Sequence, residues 1–493
     1  MKTKSDPAFR IIDKPVIEKI IETAFQLLQK PGLEIYNDNA LKLLDDAGAE
    51  VDFQSRIVKL PRRLIENAIT TTPHTFTLHN LKGEPEVFLE KNNFYPYPGT
   101  SAVNIYDYER KTFREARSKD LIDFIRVVEK LPYIRMNSSL DIKDVPETFT
   151  NIYRLALALK YSKKPIKASV LTIKSAIPVI KNLLFAVAGG KEEFEKKPFA
   201  FISVNPRPPL MWDDFTSQVL IECAKSNIPL SRGSAVVSGA GGPVTLIGSL
   251  IQQTAEALSG VTLSQIVQPG SPGLYGSAPI IFDVRKGVTP TGAIESLMFC
   301  CGAAQVANYL AIPTHLYTGI SDSKVIDAQW GFESAMGILL GVLSGINLFP
   351  VGMVNMMLTQ SIECVVIANE LCGQVYRLMD GITSSDEDFT TELWEEVGHT
   401  QGFLSTLHTI AHFAKEQFNV SEIVDRSSGF EWQKKGAKDT AQRAHEMVKD
   451  LLAKDIPKVV DPKVEEEIDR IVVEHAKRLG IGRDQIPKEF FDN

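Results

Sequence analysis

Aromatic residues are concentrated where strands of this chain are expected to end. The residues concerned are Phe94, Tyr95, Tyr97, Tyr275, Tyr317, Trp330, Phe332 and Phe349. A set of rings can bind an organic cation through its ring faces, and a fully methylated ammonium depends most on such contacts because it cannot donate hydrogen bonds. Aromatic residues are also common in protein cores, so the alternative is that these rings only fill space.

A dense polar cluster follows one of these ends. It consists of Ser321-Asp322-Ser323-Lys324, Asp327, Gln329 and Glu333. Lys324 could form a Schiff base with a carbonyl substrate if it were desolvated, which would suit a lyase or an aldolase. The alternative is a helix N-cap at Ser321 or Asp322 beside a solvated lysine.

A glycine-rich loop, Gly239-Ala240-Gly241-Gly242, precedes a predicted helix. Glycines at a helix entry can expose backbone N–H groups to an anion, or let a flat ligand approach the backbone closely. The loop matches neither the Walker A pattern nor the dinucleotide fingerprint, and the alternative is a tight turn. Gln252 and Glu256 follow one helical turn apart, which predicts a solvent-exposed face.

Other residues suggest chemistry more weakly. Arg285 and Arg377 could each grip a carboxylate with two hydrogen bonds, or form surface ion pairs. His408 and His412 have the i, i+4 spacing of metal ligands, but no HExxH motif accompanies them, so we predict no metal site. The five cysteines show no CxxC spacing, which predicts neither structural zinc nor a disulfide framework and favours a reducing compartment.

The elements that would position these residues alternate between strand and helix. The candidate strands are Thr100–Asp107, Ile134–Asp141, Pro165–Thr172, Phe199–Pro206, Ile228–Val237, Pro272–Pro279, Pro313–Ile320 and Asn347–Val354. Strands at this spacing predict parallel βα units, and eight of them are the number that closes a (β/α)₈ TIM barrel, an α/β fold. The chemistry of such a barrel lies at the C-terminal ends of its strands.

Three regions are predicted. Residues 1–90 form a mostly helical N-terminal extension, residues 91–385 the barrel, and residues 386–493 a set of C-terminal helices packed on it. Residues 334–362 contain no charged residue, but the polar break at Ser344, Gly345 and Asn347 favours a buried helix followed by a buried strand over a membrane span.

The bulk properties exclude some functions. A net charge of −7 and a pI near 5.8 give no electrostatic footprint for nucleic acid. The first residues lack the apolar stretch of a secretory signal, so we expect a cytoplasmic protein with no membrane partner. The large apolar content is compatible with a homo-oligomer.

Several segments together resemble the trimethylamine methyltransferase family. The residues that carry the resemblance are Gly239-Ala240-Gly241-Gly242-Pro243-Val244-Thr245-Leu246, Gln252-Gln253-Thr254-Ala255-Glu256, Ser321-Asp322-Ser323-Lys324 with Asp327 and Gln329, His408-Thr409-Ile410-Ala411-His412, Gly32-Leu33-Glu34-Ile35-Tyr36 and Pro98-Gly99-Thr100-Ser101-Ala102. The resemblance covers nearly the whole chain and is more specific to family than to substrate.

This resemblance implies a barrel enzyme that passes a methyl group from a methylated amine to cob(I)alamin on a corrinoid protein. Members that act on trimethylamine carry pyrrolysine, and this chain contains only the ordinary residue types. It therefore resembles the branch without pyrrolysine, whose substrates are quaternary amines, with glycine betaine as the first candidate and carnitine and proline betaine in the same class. A quaternary nitrogen leaves as a neutral amine, so no general acid is needed and no catalytic residue is assigned. Positioning alone is expected to accelerate the reaction.

The hypothesis assigns roles to residues at the strand ends. The substrate site would comprise Tyr95, Tyr97, Tyr275, Tyr317, Phe349, Arg285, His315, Gln329 and Glu333. Arg285 or His315 would hold the substrate carboxylate, and Gly239, Gly241 and Gly242 would face the corrin. No cofactor is expected to bind tightly, because the cob(I)alamin, converted to methylcobalamin, would arrive on the partner protein. The alternatives are a lyase or aldolase that uses Lys324, and a non-catalytic binder of betaine or of a corrinoid protein.

Overall fold

The computed structural model describes residues 9–90, 92–99, 102–168, 173–382, 384, 389–399, 402–454 and 459–491. Its helices are α1 Lys14–Gln29, α2 Asp38–Asp46, α3 Arg62–Thr71, α4 Ser118–Glu129, α5 Glu147–Tyr161, α6 Ala176–Ala188, α7 Lys191–Lys196, α8 Asp214–Ala224, α9 Leu246–Val267, α10 Ile294–Tyr309, α11 Ala328–Leu343, α12 Ile362–Met379, α13 Glu392–Val397, α14 Leu407–Glu416, α15 Gly429–Lys434, α16 Thr440–Ala453 and α17 Pro462–Arg478. Its strands are β1 Leu33–Ile35, β2 Glu50–Asp52, β3 Ile57–Lys59, β4 Phe76–His79, β5 Pro85–Leu89, β6 Tyr95–Pro98, β7 Asn104–Asp107, β8 Thr112–Glu115, β9 Ile166–Ala168, β10 Ala200–Val204, β11 Met211–Trp212, β12 Leu230–Gly233, β13 Val237–Ser238, β14 Gly273–Ser277, β15 Ile280–Ile281, β16 Thr314–Leu316, β17 Leu348–Val351, β18 Met353–Val354 and β19 Thr359–Gln360.

A curled sheet of seven parallel strands forms the centre of the molecule, in the order β6-β17-β16-β14-β12-β10-β9. The strands are buried on both faces, which explains why their sequences are apolar throughout. Successive side chains alternate between the concave interior and the outer face, where the helices pack. The α/β class and the parallel βα units are therefore confirmed.

The predicted eighth strand, Ile134–Asp141, does not complete the barrel. Asn137 bridges Ile166 of β9 through two backbone hydrogen bonds of 2.8 and 2.9 Å. On its other side, the described residues show no backbone pairing with β6, and the Ser138 hydroxyl donates to the carbonyls of Pro98 and Gly99. The prolines of β6 explain this opening. Tyr95 and Gly99 direct their N–H groups to β17, so Pro96 and Pro98 occupy the positions that would donate towards Asn137, and proline has no N–H. The predicted closed (β/α)₈ barrel is thus replaced by a curled seven-stranded half-barrel.

The first predicted barrel strand, Thr100–Asp107, is wrong. The barrel strand is β6, and β7 belongs to a separate small sheet with β8 and β19; residues 100 and 101 lie outside the described residues. The strands β10, β12, β14, β16 and β17 lie within their predicted ranges. In Pro165–Thr172 the strand β9 is described, whereas residues 169–172 lie outside the described part of the chain.

A hairpin of β4 and β5 covers the N-terminal end of the half-barrel. His79 donates its backbone N–H to Pro198, and Leu81 to Lys163, both just before strands of the sheet. The hairpin residues Leu78, Val87 and Leu89 pack in one apolar cluster with the interior residues of the sheet. This floor is filled with apolar side chains, so the interior can open only towards the C-terminal ends of the strands.

The N-terminal helices cover α9. Helices α1, α2 and α3 all pack against it, which buries α9 along most of its length. The predicted solvent-exposed face at Gln252 and Glu256 is also wrong, because both side chains are buried and hydrogen bond with the loops after β10, β12 and β13. At the other end of the chain, α16 packs on α4 and α12, and α17 on α5 and α6. The region boundaries at residues 90 and 385 stay a prediction.

Within the described residues, no helix combines the length and the apolar content that crossing a bilayer requires. Residues 334–362 instead supply the end of α11 and the strand β17, as their polar break predicts.

Candidate functional site

The upper interior of the half-barrel, towards the C-terminal ends of its strands, holds the polar side chains. The residues that alternation directs inwards are Tyr95, Tyr97, Lys167, Phe201, Ser203, Ser231, Gly233, Leu274, Gly276, His315, Leu348 and Pro350. None of these described inward-facing strand residues is acidic. Tyr95, Tyr97, Phe201, Leu274 and Leu348 belong to the apolar cluster over the floor, and the Tyr97 hydroxyl lies where this dry base meets the polar groups.

His315 is the centre of this polar layer. Its Nε2 lies 2.7 Å from the Tyr97 hydroxyl and its Nδ1 lies 2.7 Å from the Ser231 hydroxyl. Its ring also packs edge-on against Phe201, with centroids 5.2 Å apart. Burial, with a contribution from the nearby positive Lys167, holds the pKa of His315 well below its usual value. His315 is therefore neutral at physiological pH and lacks the charge that the predicted carboxylate contact would need.

Tyr317 and Lys167 lie beside this histidine. Tyr317 follows β16, its ring centroid is 5.4 Å from that of His315, and its side chain hydrogen bonds with Tyr97 and Lys167. Burial lowers the pKa of Lys167, and the charge of Arg154 lowers it further. The arrangement brings an amine, two phenols and a neutral imidazole together in the interior.

Two polar atoms in this region have no hydrogen-bond partner among the described residues. They are Oγ of Ser203 on β10 and Oδ1 of Asn205, which follows that strand. Buried polar groups are normally satisfied, so orphaned atoms that face a common space indicate a missing ligand or water. Gly276 borders the same interior, and its backbone φ of +142° together with the 2.0 Å approach of a Cβ to the His315 carbonyl excludes any side chain there.

The polar cluster after β16 ties two loops together. Glu333 of α11 accepts hydrogen bonds from the Ser321 hydroxyl at 2.7 Å, the Asp322 N–H at 2.8 Å and the Gln329 amide at 2.9 Å. The Asp322 carboxylate in turn accepts from the backbone N–H groups of Thr291 and Gly292. The charge of Glu333 lies at the strand ends, but its oxygens are engaged by the loop.

Lys324 does not lie in a desolvated pocket. Its side chain is exposed and its ammonium donates to the Asp322 carbonyl at 2.7 Å. The N-cap of the following helix is Asp327, which accepts from the Trp330 N–H, rather than the predicted Ser321 or Asp322. The first turn simply begins later than the polar run suggested.

The glycine-rich loop forms a tight turn. The N–H groups of Ala240, Gly241 and Gly242 all donate to the Val237 carbonyl, and Gly239 has a φ of +90°, which favours glycine. Gln252 fixes the turn from α9 by donating to the Gly241 carbonyl at 2.8 Å. The N–H groups are thus used within the turn, while Gly239 itself is exposed.

Glu256 of α9 accepts three hydrogen bonds from residues near this loop. It accepts from the Leu210 N–H at 2.8 Å, from the Gln252 amide at 2.9 Å and from the Ser234 hydroxyl. Burial raises its pKa, and these three donors oppose that rise. Its carboxyl fixes α9 to the loop after β10 and to Ser234, which directly follows β12.

Several predicted site residues lie elsewhere. Tyr275 faces outwards and donates to Gln253 of α9 at 2.7 Å. Phe349 also faces outwards, where it stacks on Phe94. Arg285 has a side chain that is 88% exposed and lies 3.5 Å from Asp283. Tyr275, Phe349 and Arg285 therefore lie outside the interior that surrounds His315.

Tyr95 faces the interior but lies in the apolar cluster over the floor. Arg377 hydrogen bonds with the carbonyls of Gly381 and Glu416 and does not enter the interior. His408 and His412 of α14 have ring centroids 4.5 Å apart, yet no group of three or more potential ligands forms a metal site within the described residues. All five cysteines are buried free thiols.

Sequence reasoning missed Lys167, Ser203 and Ser231. The signal for Lys167 was present, since a charged residue interrupts the apolar strand Pro165–Ala168, and lysine is rarely buried without a specific role. The two serines carried no such signal, because small polar residues are common in strands.

Large apolar side chains are exposed on the loops and first helical turns that follow the strands. Val244, Val284 and Phe332 are 72%, 71% and 57% exposed. The others are Ile247, Val288, Ile294, Val325 and Leu358. We call these eight residues the apolar rim. Single exposed apolar residues are ordinary, but a group at one end of a barrel is typical of a surface that binds another macromolecule.

Comparison with known proteins gives a family match over almost the whole chain. The family model described as trimethylamine methyltransferase (MTTB) matches residues 1–480. Glycine betaine methyltransferase of Desulfitobacterium hafniense (strain Y51) is 28% identical over 431 residues, which cover 87% of this chain and 89% of that protein. Trimethylamine methyltransferase MttB of Methanosarcina barkeri (strain Fusaro / DSM 804) is 30% identical over 440 residues, 86% of each protein.

A solved structure shows a similar fold. The crystal structure of the hydroxylamine MtmB complex aligns with a TM-score of 0.53 and 14% identity, and covers 90% of this chain and 88% of that chain. At this identity the likeness shows the fold alone.

Proposed function

This chain belongs to the trimethylamine methyltransferase family, and we propose from that premise that it removes a methyl group from a quaternary amine and delivers it to cob(I)alamin on a corrinoid protein. Glycine betaine is the first candidate substrate, since the relative named glycine betaine methyltransferase matches over 87% of the chain. The sequence contains only the ordinary residue types, which favours the branch of the family without pyrrolysine.

The observation that carries the proposal is the composition of the interior. Tyr97, Tyr317, Phe201 and a neutral His315 lie close together above a filled floor. Rings attract a methylated ammonium through their faces, and a dry setting strengthens this attraction. A site for a primary or tertiary amine would gain from a hydrogen-bond acceptor for its N–H, and no inward-facing strand residue among those described is a carboxylate.

The chemistry makes few demands on the protein's side chains. In a direct displacement the methyl group would pass to the reduced corrinoid of the partner protein as the methyl acceptor, and the electron pair of the broken carbon–nitrogen bond would stay on nitrogen. The amine leaves neutral, so no proton has to be supplied. The residues of this chain therefore orient the methyl group and exclude water, which is catalysis by positioning.

The neutral state of His315 is consistent with a role in positioning and not in proton transfer. Its two ring nitrogens are occupied by Tyr97 and Ser231, so the histidine fixes the Tyr97 ring. In this proposal Tyr97 and Tyr317 contact the ammonium, His315 positions Tyr97, and Glu333 with Gln329 contributes a negative potential at the strand ends.

The methyl acceptor would reach the site from the open end of the half-barrel. The apolar rim surrounds that end with exposed aliphatic and aromatic side chains, which supports contact with a protein surface. Gly239 is exposed in the same region, and Gly241 and Gly242 complete the adjacent tight turn, so a flat corrin could approach this backbone. The alternative Schiff-base chemistry gains no support, because Lys324 is exposed and engaged with its own loop.

The test combines the purified protein, a reduced corrinoid protein and a panel of amines. We expect the absorbance of cob(I)alamin to convert to that of methylcobalamin with glycine betaine or another quaternary amine. Trimethylamine, which has no permanent charge, should react far more slowly. Absence of conversion with every quaternary amine, together with tight betaine binding by calorimetry, would favour a non-catalytic binder and contradict the proposal.

A further inference from the structure

We infer that Lys167 binds the carboxylate of the substrate, so that the barrel selects betaines over quaternary amines that lack an acid group. This inference rests on the proposed function and specifies the substrate class of the same site. It also replaces the two residues that the sequence suggested for the carboxylate, since Arg285 lies in solvent and His315 is neutral.

The position of Lys167 directs its amine into the interior. Lys167 is the middle residue of β9, and its neighbours Ile166 and Ala168 pack in the outer core, so alternation turns Lys167 inwards. In register it lies beside Phe201 of β10. Its hydrogen bond with Tyr317, which follows β16, shows that the amine reaches towards the strand ends.

The electrostatics of this point favour an anion. Lys167 is only 4% exposed, and the buried Arg154, which pairs with Asp141 at 3.5 Å, is close enough to lower the pKa of Lys167. A buried positive charge is stabilised when a negative group and hydrogen bonds surround it. The inward-facing strand residues in the described ranges supply rings, hydroxyls and a neutral imidazole, and a ligand carboxylate would add a negative group to them.

The orphaned atoms lie on the neighbouring strand β10 and just after it, towards the C-terminal end. Ser203 is two residues beyond Phe201 on the same inward face of β10, and its buried Oγ has no partner among the described residues. The hydroxyl can donate to a carboxylate oxygen. The Asn205 amide, whose Oδ1 also lacks a partner, can present its NH₂ group to the same space if it rotates.

Above Ser231 the strand backbones approach each other closely. Ser203 and Ser231 are register partners on neighbouring strands, and the next inward-facing residue on β12 is Gly233, which has no side chain. Gly276 is its register partner on β14. A Cβ at Gly233 would lie 1.0 Å from the Gly276 carbonyl oxygen, so this side of the interior is lined by backbone and the serine hydroxyls, whereas rings line the side of Tyr97 and Tyr317.

A betaine matches both sides at once. Its carboxylate would accept hydrogen bonds from Lys167 and Ser203, while its trimethylammonium, one methylene away in glycine betaine, would lie against the rings. A quaternary amine without the acid would bring its positive charge towards Lys167 with nothing to offset the repulsion. The same lysine would therefore attract betaines and disfavour choline or tetramethylammonium.

The test measures binding by calorimetry without the corrinoid protein. Glycine betaine and choline share the trimethylammonium but differ in the acid group, and tetramethylammonium lacks both functional groups. We expect wild-type protein to bind glycine betaine at least about tenfold more tightly than either cation, because a hydrogen-bonded charge pair is involved. Equal affinities for betaine and choline would overturn the inference without any variant.

Two variants sharpen the result. Lys167→Met keeps the length of the side chain without its charge and should weaken betaine binding at least about tenfold, while choline binding is unchanged or tighter. Ser203→Ala should weaken betaine binding by about two- to tenfold. Lys286→Met, at an exposed lysine in the loop after β15, is the matched control and should leave betaine affinity unchanged. A folded Lys167→Met protein that binds betaine normally, or that loses betaine and choline equally, would overturn the inference.

The two proposals fail in different ways. Lys167-dependent betaine binding without methyl transfer from any quaternary amine would overturn the proposed function and leave this inference standing. Methyl transfer from betaine and choline with equal kcat/KM would overturn this inference and leave the proposed function standing.

Discussion

Tyr317 offers the sharpest test of the ring site, because its ring and its hydroxyl have separable roles. The ring lies beside His315, and the hydroxyl hydrogen bonds with Tyr97 and Lys167. Tyr317→Ala removes both, whereas Tyr317→Phe removes the hydroxyl alone. The comparison of the two variants therefore isolates the contribution of the ring face to binding a methylated ammonium.

The expected magnitude follows from the burial of the site. Cation–π attraction amounts to about 0.5–1 kcal/mol at exposed positions and about 2 kcal/mol when the pair is desolvated. Tyr317 is half-buried over a dry floor, which places its contribution at about 1–2 kcal/mol. At about 1.4 kcal/mol per factor of ten, Tyr317→Ala should raise KM for betaine about 5- to 30-fold.

The assay is the initial rate of methylcobalamin formation at varied betaine concentration. Tyr317→Phe should change KM by less than about threefold, because a phenyl face attracts a cation nearly as well. Tyr309→Ala, at an exposed tyrosine at the end of α10, is the matched control. Equal KM increases in Tyr317→Ala and Tyr317→Phe would refute the ring argument, and unchanged kinetics in both would remove Tyr317 from the site.

Three further predictions concern the support of the site and its surroundings. Tyr97→Phe leaves the buried His315 Nε2 without its 2.7 Å partner and should lower the free energy of unfolding by about 1–3 kcal/mol, as measured by urea denaturation. The pKa of His315 is lowered from 6.5 in the folded state, so its stabilising contribution is complete above about pH 6.5 and is lost as the pH falls towards the folded-state value. Stability should therefore decline below about pH 6.5 by up to about 1.4 kcal/mol per pH unit from this residue, and His315→Asn should remove that part of the slope. Val284→Glu, in the apolar rim, should raise KM for the corrinoid protein several-fold and leave betaine affinity unchanged, and an equal loss of both would show that the substitution disturbs the substrate site instead.

The sequence predicts the class of fold well and its closure poorly. Alternating apolar runs and helices identify parallel βα units because parallel strands are buried on both faces. Because both faces of each strand are apolar, the sequence does not show which side chains point into the interior and which pack against the helices. Tyr275 and Tyr97 look alike in the sequence, yet one packs against α9 and the other points into the interior.

The strand β6 shows why the opening was missed. Tyr95-Pro96-Tyr97-Pro98 resembles a loop because it contains two prolines, and the next apolar run was assigned to the barrel instead. The prolines are tolerated because their missing N–H groups face the gap beside Asn137, where no regular ladder forms. Only the register of β6 on β17 shows which edge of β6 lacks backbone N–H donors.

Burial by distant segments was also hidden from local patterns. Gln252 and Glu256 have the spacing of a solvated helix face, but loop residues 11 to 46 positions away in the sequence bury them. Lys167 is the opposite case, since its charge within an apolar strand was a legible signal of a specific interior role. Neither its hydrogen bond with Tyr317 nor the orphaned Ser203 could be read from spacing.

The most direct test of the proposed function is the fate of an isotopically labelled methyl group. Glycine betaine with ¹³C in its N-methyl groups would be mixed with the protein and a stoichiometric amount of reduced corrinoid protein, and the products followed by ¹³C NMR. We expect dimethylglycine and cobalt-bound methyl to appear in equal amounts, and neither to form without the corrinoid protein. Dimethylglycine without labelled cobalt, or no demethylation of any quaternary amine, would contradict it.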